Sequence, residues 1–433
     1  MQRRADPGRL RVAYLVYRGN PRCGGQGVYT RHLSRELARL GHEVTVFSGP
    51  PYPEIDEGVA LVRVPSLDLY REPDPFRIPR LSEFKSSADL LEFAIMCTAG
   101  FPEPRTFTLR ARTLLSSRLD DFDLVHDNQS LGSGLLRMMR DGWPLIATIH
   151  HPITVDRELD LLHATTLRRR AALRRWYGFI GMQVRVAREV PRVITVSESS
   201  RRDIADQLGV APSRVSVVPV GVDEQAFRPR PEVAKVRGRI VTTASADVQM
   251  KGLVPLLEAL AKVRTERDDA HLVVVGRLRE GSRIPQVLER LSLENAVRLV
   301  SGISDDELSV LYASAELAVV PSLYEGFSLP AIEAMACGVP LVATTGGALP
   351  EVAGRDGESA LLCEPNDAAA LASAILRVLG DEALAHKLSL NGRRRTLKRF
   401  TWPVTAAGTA EQYMLLLEDR ERALRAAPVL AQC

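Results

Sequence analysis

With 433 residues the chain is too long for one ordinary domain, and two or three compact units are expected. It is 45% hydrophobic and 25% charged, enough for packed cores, and a net charge of +4 does not mark a nucleic-acid binder. The five cysteines are scattered without a CxxC pair, which argues against a disulfide framework or a zinc site and suits a reducing compartment.

No apolar run approaches the roughly 20 residues of a membrane helix, and the opening stretch Met1–Val16 leads into a strand without a signal-cleavage region. A cytoplasmic location is therefore expected, with peripheral contact at the inner membrane surface left open.

Strand-like runs alternate with helical patterns along the whole chain. In the first half they are Val12–Tyr17, Glu43–Phe47, Leu124–His126, Pro144–His150 and Val193–Ser197. In the second half they are Arg239–Ala244, Leu272–Gly276, Val297–Ser301, Leu317–Ser322, Pro340–Thr345 and Ala360–Cys363. This alternation predicts α/β architecture with parallel sheets, and apolar strands such as LVVVG predict burial on both faces. The series restarts after the turn-rich Pro219–Asp223. Two doubly wound, Rossmann-like domains are expected, 1–218 and 219–400, facing each other across a cleft at the carboxyl ends of their strands. The helical tail 401–425 is a candidate to cross back onto the first domain. Pro50–Arg80, with seven prolines, reads as an extended connection.

Several segments carry chemistry. Cys23-Gly24-Gly25-Gln26-Gly27 follows the first strand and opens a helix; glycines there permit a tight turn and bring amides near phosphate, although a plain strand-to-helix turn has the same spelling. Asp121-Phe122-Asp123 has the DxD spelling of a metal site but lacks a glycine loop or a partner acid, and reads as structural. His150, followed by His151, closes a strand, a position suited to a cleft. Leu161–Arg188 holds seven arginines and no acid, interleaved with Leu167, Leu173, Trp176, Phe179 and Ile180. It is a solvated face, a surface for anionic lipid, or a site for an anionic acceptor. Lys251 follows the first strand of the second domain, where a cation can neutralise a leaving diphosphate.

The most informative string runs from Ser322 through Glu325, Gly326, Phe327, Ser328, Leu329, Pro330 and Glu333 to Gly338. Ser328 suits an N-cap and Pro330 the first helical turn, so free amides at the helix start form an anion site. Glu325 and Glu333 fall about 12 Å apart at helical rise, enough for one carboxylate to meet a sugar and the other a ribose, with a diphosphate between.

E-x7-E followed by A-x-A-C-G-x-P resembles the signature of retaining family-4 glycosyltransferases of the GT-B fold. Leu311–Pro321 and Gly346–Glu351 resemble the same family on either side. The resemblance implies that Glu333 binds the ribose hydroxyls and that Glu325 contacts the donor sugar, with the backbone of Gly326, Phe327, Ser328 and Leu329 on the donor. It implies further that Gly24 and Gly25 reach the donor phosphate or the acceptor, that His150 touches the sugar near the reacting centre, and that Lys251 faces the diphosphate. The family's arginine about six residues before this lysine is replaced by Ser245, which serves as a neutral donor unless a residue such as Arg277 substitutes.

The implied reaction is transfer of a hexose with retention from a UDP- or GDP-sugar to a hydroxyl. It needs neither metal nor cofactor; the acceptor is left open between lipid-linked and polysaccharide forms. A non-catalytic nucleotide-sugar binder and a membrane-docking scaffold through 161–188 are the rival readings.

Overall fold

The computed structural model describes residues 8–20, 25–71, 73–243, 249–278 and 281–426. Contacts divide the chain into two compact units. The amino-terminal unit comprises Met1–Val196, Ser200–Val218 and Thr405–Cys433; the carboxyl-terminal unit comprises Ser197–Ser199 and Pro219–Val404.

The amino-terminal unit begins with β1 (Arg11–Val16), α1 (Gly25–Arg39), β2 (Glu43–Ser48) and β3 (Ala60–Arg63). It continues through α2 (Ser87–Cys97), α3 (Glu103–Leu115), β4 (Leu124–Asn128), α4 (Ser133–Arg140) and β5 (Leu145–Thr148). Then come α5 (Thr154–His163), α6 (Leu167–Trp176), α7 (Ile180–Glu189), β6 (Arg192–Thr195), α8 (Glu198–Asp203, of this unit from Ser200) and β7 (Val215–Val217). The strands form one sheet in the order β3-β2-β1-β4-β5-β6-β7, each pairing in parallel with its neighbours. Strands β4 and β5 are buried throughout, as helices on both faces require.

Pro50–Arg80 is more than an extended connection. Its Ala60–Arg63 run pairs with β2 as the edge strand β3. An edge position tolerates the half-exposed ALVR sequence, which is why no apolar run announced it.

The second unit holds β8 (Arg239–Thr243), α9 (Leu253–Val263), β9 (His271–Val275), α10 (Ile284–Leu291), β10 (Val297–Val300), α11 (Asp305–Ala313) and β11 (Leu317–Val320). It ends with α12 (Leu329–Ala336), β12 (Leu341–Thr344), α13 (Leu349–Ala353), β13 (Leu361–Cys363), α14 (Ala368–Gly380) and α15 (Glu382–Arg399). The order is β10-β9-β8-β11-β12-β13, again parallel. Two apolar clusters, one centred on α9 and α14 and one on α11 and α12, cover the sheet. Helix starts are chemically marked: Ser304 and Glu307 form a capping box on α11, and Asp367 and Asp381 cap α14 and α15.

Helix α16 (Trp402–Ala426) follows, and from Thr405 onward it belongs to the amino-terminal unit. Tyr413 Oη lies 2.7 Å from Nδ1 of the fully buried His126 on β4, and Arg192 on β6 pairs with Asp419 at 2.6 Å.

Candidate functional site

Strand order reverses between β1 and β4 in the first unit and between β8 and β11 in the second. Loops leaving adjacent strands at such a reversal diverge, and the crevice outside their carboxyl ends is where doubly wound sheets bind ligands. The loop after β8 carries Lys251, and the loop after β11 carries Glu325.

Lys251 Nζ lies 2.8 and 3.0 Å from the two carboxylate oxygens of Glu325, which also accepts from Ser322 Oγ at 2.7 Å. Backbone packing sets this geometry. Gly252 has φ +65°, and a Cβ there would overlap the Pro321 carbonyl oxygen. Leu323 N donates to Met250 O at 2.8 Å, which binds the two loops together. Gly347, with φ +62°, presses on the backbone of Glu325, whose carbonyl accepts from Ala348 N at 2.8 Å. The Gly346–Glu351 segment is thus the support beneath the Glu325 loop.

Ser328 caps α12, its Oγ accepting from Ala331 N. Among the described residues the amides of Phe327, Ser328 and Leu329 donate to no protein acceptor. Three unspent N–H groups at a helix start favour an anion. Phe327 is pinned by an edge-to-face contact with Phe400, centroids 5.8 Å apart. The far end of α12 closes on Gly338, φ +70°, with Gly338 N bonded to Met335 O and Val339 N to Ala334 O. Glu333, one turn inside, is half-buried; desolvation, reinforced by the charge of Asp305, pushes its carboxyl up to about 8.

In the first unit His150 follows β5. Its Nε2 lies 2.8 Å from Asn128 Oδ1, and its ring packs edge-to-face on Tyr29 with centroids 4.7 Å apart. Asn128 Nδ2 points to Thr30 Oγ1 at 3.3 Å, which fixes the amide so that Oδ1 faces His150. The imidazole proton therefore sits on Nε2, leaving Nδ1 with the lone pair. Burial, then the nearby His151, lowers His150 to about 3, so this is a neutral ring.

Gln129 clamps the same turn: its Oε1 accepts from His150 N at 2.7 Å and its Nε2 donates to His151 O at 2.8 Å. It does so from a left-handed backbone, φ 55°. Asn128 and Gln129 were not singled out in the sequence; the signal was a polar Asp-Asn-Gln-Ser run ending a buried strand. His151 pairs at the surface with Asp156 at 3.0 Å.

Gly25 is the first residue of α1. A Cβ at Gly25 would meet open space, whereas one at Gly27 would overlap the Asn20 carbonyl, so the requirement for glycine here lies at Gly27. Gly24 and Ser245 lie outside the described residues. Arg277 is exposed beyond β9. Asp123 is tied to Arg11 at 2.7 Å from its N–H and 2.8 Å from its guanidinium, at the amino end of β4. The basic stretch separates into α6, with no buried residue, and α7, whose Ile180, Val186 and Ala187 are core. No helix among the described residues is long and apolar enough to cross a membrane.

The model described as Glycosyltransferase Family 4 matches residues 23–226, and that described as Glycosyl transferases group 1 matches residues 225–395. The chain is 53% identical over 405 residues to an "MMP alpha-(1->4)-mannosyltransferase" from Mycolicibacterium hassiacum, covering 93% of this chain and 98% of that one. Among solved structures, sucrose-phosphate synthase from Thermosynechococcus elongatus matches with TM-score 0.71 at 24% identity, covering 95% of this chain and 100% of that one. Anabaena HepE, in complex with UDP and glucose, matches with TM-score 0.67 at 19% identity, covering 94% and 99%. Those two likenesses concern the fold. The two matching models and the mannosyltransferase relative agree: this chain belongs to the family-4-like glycosyltransferases, with two Rossmann-like units of the GT-B fold.

Proposed function

We propose that the protein is a retaining α-mannosyltransferase. In this reading it moves mannose from a GDP- or UDP-linked donor to the 4-hydroxyl of a mannoside acceptor, without a metal ion. The observation that carries the reading is the 53% identity to an α-(1→4)-mannosyltransferase along nearly the whole of both chains.

The local geometry supports a division of labour. Amides of Phe327, Ser328 and Leu329, with the ammonium of Lys251, take the charge that grows on the leaving diphosphate. Such preorganised donors are in place before reaction and need no reorganisation. Glu325 turns from Lys251 toward the donor sugar when the diphosphate arrives to claim the lysine. Glu333 receives the ribose hydroxyls. Neutral His150, held by Asn128 and Gln129, offers a hydrogen bond to the sugar without adding positive charge beside it. No residue is assigned as a covalent nucleophile: the leaving phosphate oxygen accepts the acceptor's proton, and attack and departure share one face of the sugar.

Purified protein incubated with GDP-mannose, UDP-mannose and UDP-glucose, with and without a chelator, tests this directly. Mannosyl transfer that survives chelation and gives an α-linked product supports the reading. Donor binding with no turnover over an acceptor panel would assign a non-catalytic binder instead.

A further inference from the structure

Helix α6 places five arginines and no acid in ten residues, and none of its residues is buried. Arg168, Arg169 and Arg170 occupy its first turn, where the helix dipole opposes positive charge. Arg170 and Arg174, one turn apart, repel one another. Among the described residues the guanidinium groups of Arg168, Arg169 and Arg174 meet no acceptor. Those of Arg170 and Arg175 reach only the carbonyls of Ala164 and Thr98, at 3.1 and 3.3 Å. On the preceding α5, Asp156 and Asp160 are held by His151 and Tyr177. A helix that is polar on all sides and lacks compensating pairs gains stability from negative charge brought by another body.

Beside these charges the surface is apolar. The carboxyl end of α6 carries Trp176, whose ring meets Tyr70 at 5.6 Å and Phe76 at 6.4 Å between centroids. Both rings belong to the largely irregular segment between β3 and α2. There Phe76, Ile78 and Leu81 are 60%, 82% and 91% exposed, with the exposed Arg80 between the last two. On α6 itself Leu167 is 83% exposed. Single exposed apolar residues are ordinary on a protein surface. A run of them, joined through Trp176 to a helix of unpaired arginines, calls for a partner that takes both. The interface of an anionic bilayer does so. Its phosphates receive the guanidinium groups, Ile78 and Leu81 enter the acyl boundary, and the half-buried rings of Tyr70 and Trp176 suit the headgroup level. A soluble polyanion would satisfy the arginines and leave the apolar side chains in water.

We infer that α6 and segment 76–81 form a docking surface for an anionic lipid bilayer. The surface is independent of the donor site and holds whatever sugar that site transfers.

The test is sedimentation of the full-length protein with vesicles of phosphatidylcholine alone and of phosphatidylcholine mixed with phosphatidylglycerol. The parent protein is expected to bind the mixed vesicles, and to bind them less as salt rises. At about fivefold per arginine, the triple variant Arg168→Gln, Arg169→Gln, Arg174→Gln should bind about 100-fold more weakly. Ile78→Ser with Leu81→Ser should weaken binding about tenfold or more. Because all five side chains are exposed, both variants should melt within about 3 °C of the parent, and donor hydrolysis should stay within about twofold. Equal binding of the parent to both vesicle types, or to neither, overturns the inference, as does unchanged binding by the arginine variant. Loss of binding in the arginine variant with full binding in the Ile78–Leu81 variant assigns the face to a soluble polyanion and overturns it as well.

Discussion

Lys251 and Glu325 neutralise one another across 74 residues of sequence, with Nζ within 3.0 Å of both carboxylate oxygens. Each residue keeps the other in place before a donor arrives, and a diphosphate competes directly for the lysine. Glu325 is 8% exposed, so Lys251→Met leaves a buried carboxylate with only Ser322 for company. Turnover should fall about 100-fold or more from the lost electrostatic stabilisation. Thermal denaturation should show a loss of about 1–3 kcal/mol. Lys251→Arg should recover stability more fully than turnover.

Glu333 predicts a pH signature. Its folded-state carboxyl titrates near 8, above the unfolded value of 4.5. The protonated form therefore contributes stability that is complete below the unfolded value and is lost as pH rises through about 8. Recognition of ribose hydroxyls by the carboxylate runs the other way, because the ionised form accepts from both. Donor affinity measured by calorimetry should rise about tenfold between pH 7 and pH 9, and Glu333→Gln should flatten that dependence.

His150→Ala should lower turnover about 100-fold while donor affinity changes little. Gln129→Gly removes the clamp on the same turn without straining the left-handed backbone at φ 55°. Its kcat should drop about tenfold at unchanged donor Kd, since a misplaced group costs turnover rather than binding. A Gln129→Gly enzyme with full kcat would show that the turn holds itself.

Tyr413→Phe strips the partner from His126 Nδ1 in a fully buried setting, at an expected cost of about 1–3 kcal/mol in stability. The same histidine predicts acid sensitivity. Burial, then the nearby His150, lowers it to about 3, below its ordinary 6.5. Its contribution is present above the unfolded value and is lost as pH falls from 6.5 toward 3. Melting temperature should decline over that window, and His126→Gln should decline less steeply.

The sequence exposed the parts of the fold that are locally encoded. Buried parallel strands such as Leu317–Val320 are apolar runs, and Ser328, Pro330 and Gly338 mark the ends of α12 by their own chemistry. Strand β3 escaped because an edge strand need not be apolar, and α2 and α3 lay in a region that matched no recognisable pattern. At the site, Glu325 and Glu333 were legible from their spacing, since loop and helix fix it. The Lys251–Glu325 pairing and the grip of Gln129 on His150 are products of chain segments far apart in sequence. No local pattern encodes them.

The return of helix α16 to the amino-terminal unit has a consequence for synthesis. That unit draws on residues up to Val218 and again on residues from Thr405 onward. On the ribosome, β4 is complete long before Tyr413 exists to meet His126, and the whole of Pro219–Val404 emerges in between. The amino-terminal unit therefore waits, unfinished, while the other folds, and a nascent chain stalled before α16 exposes the apolar surface of an incomplete sheet.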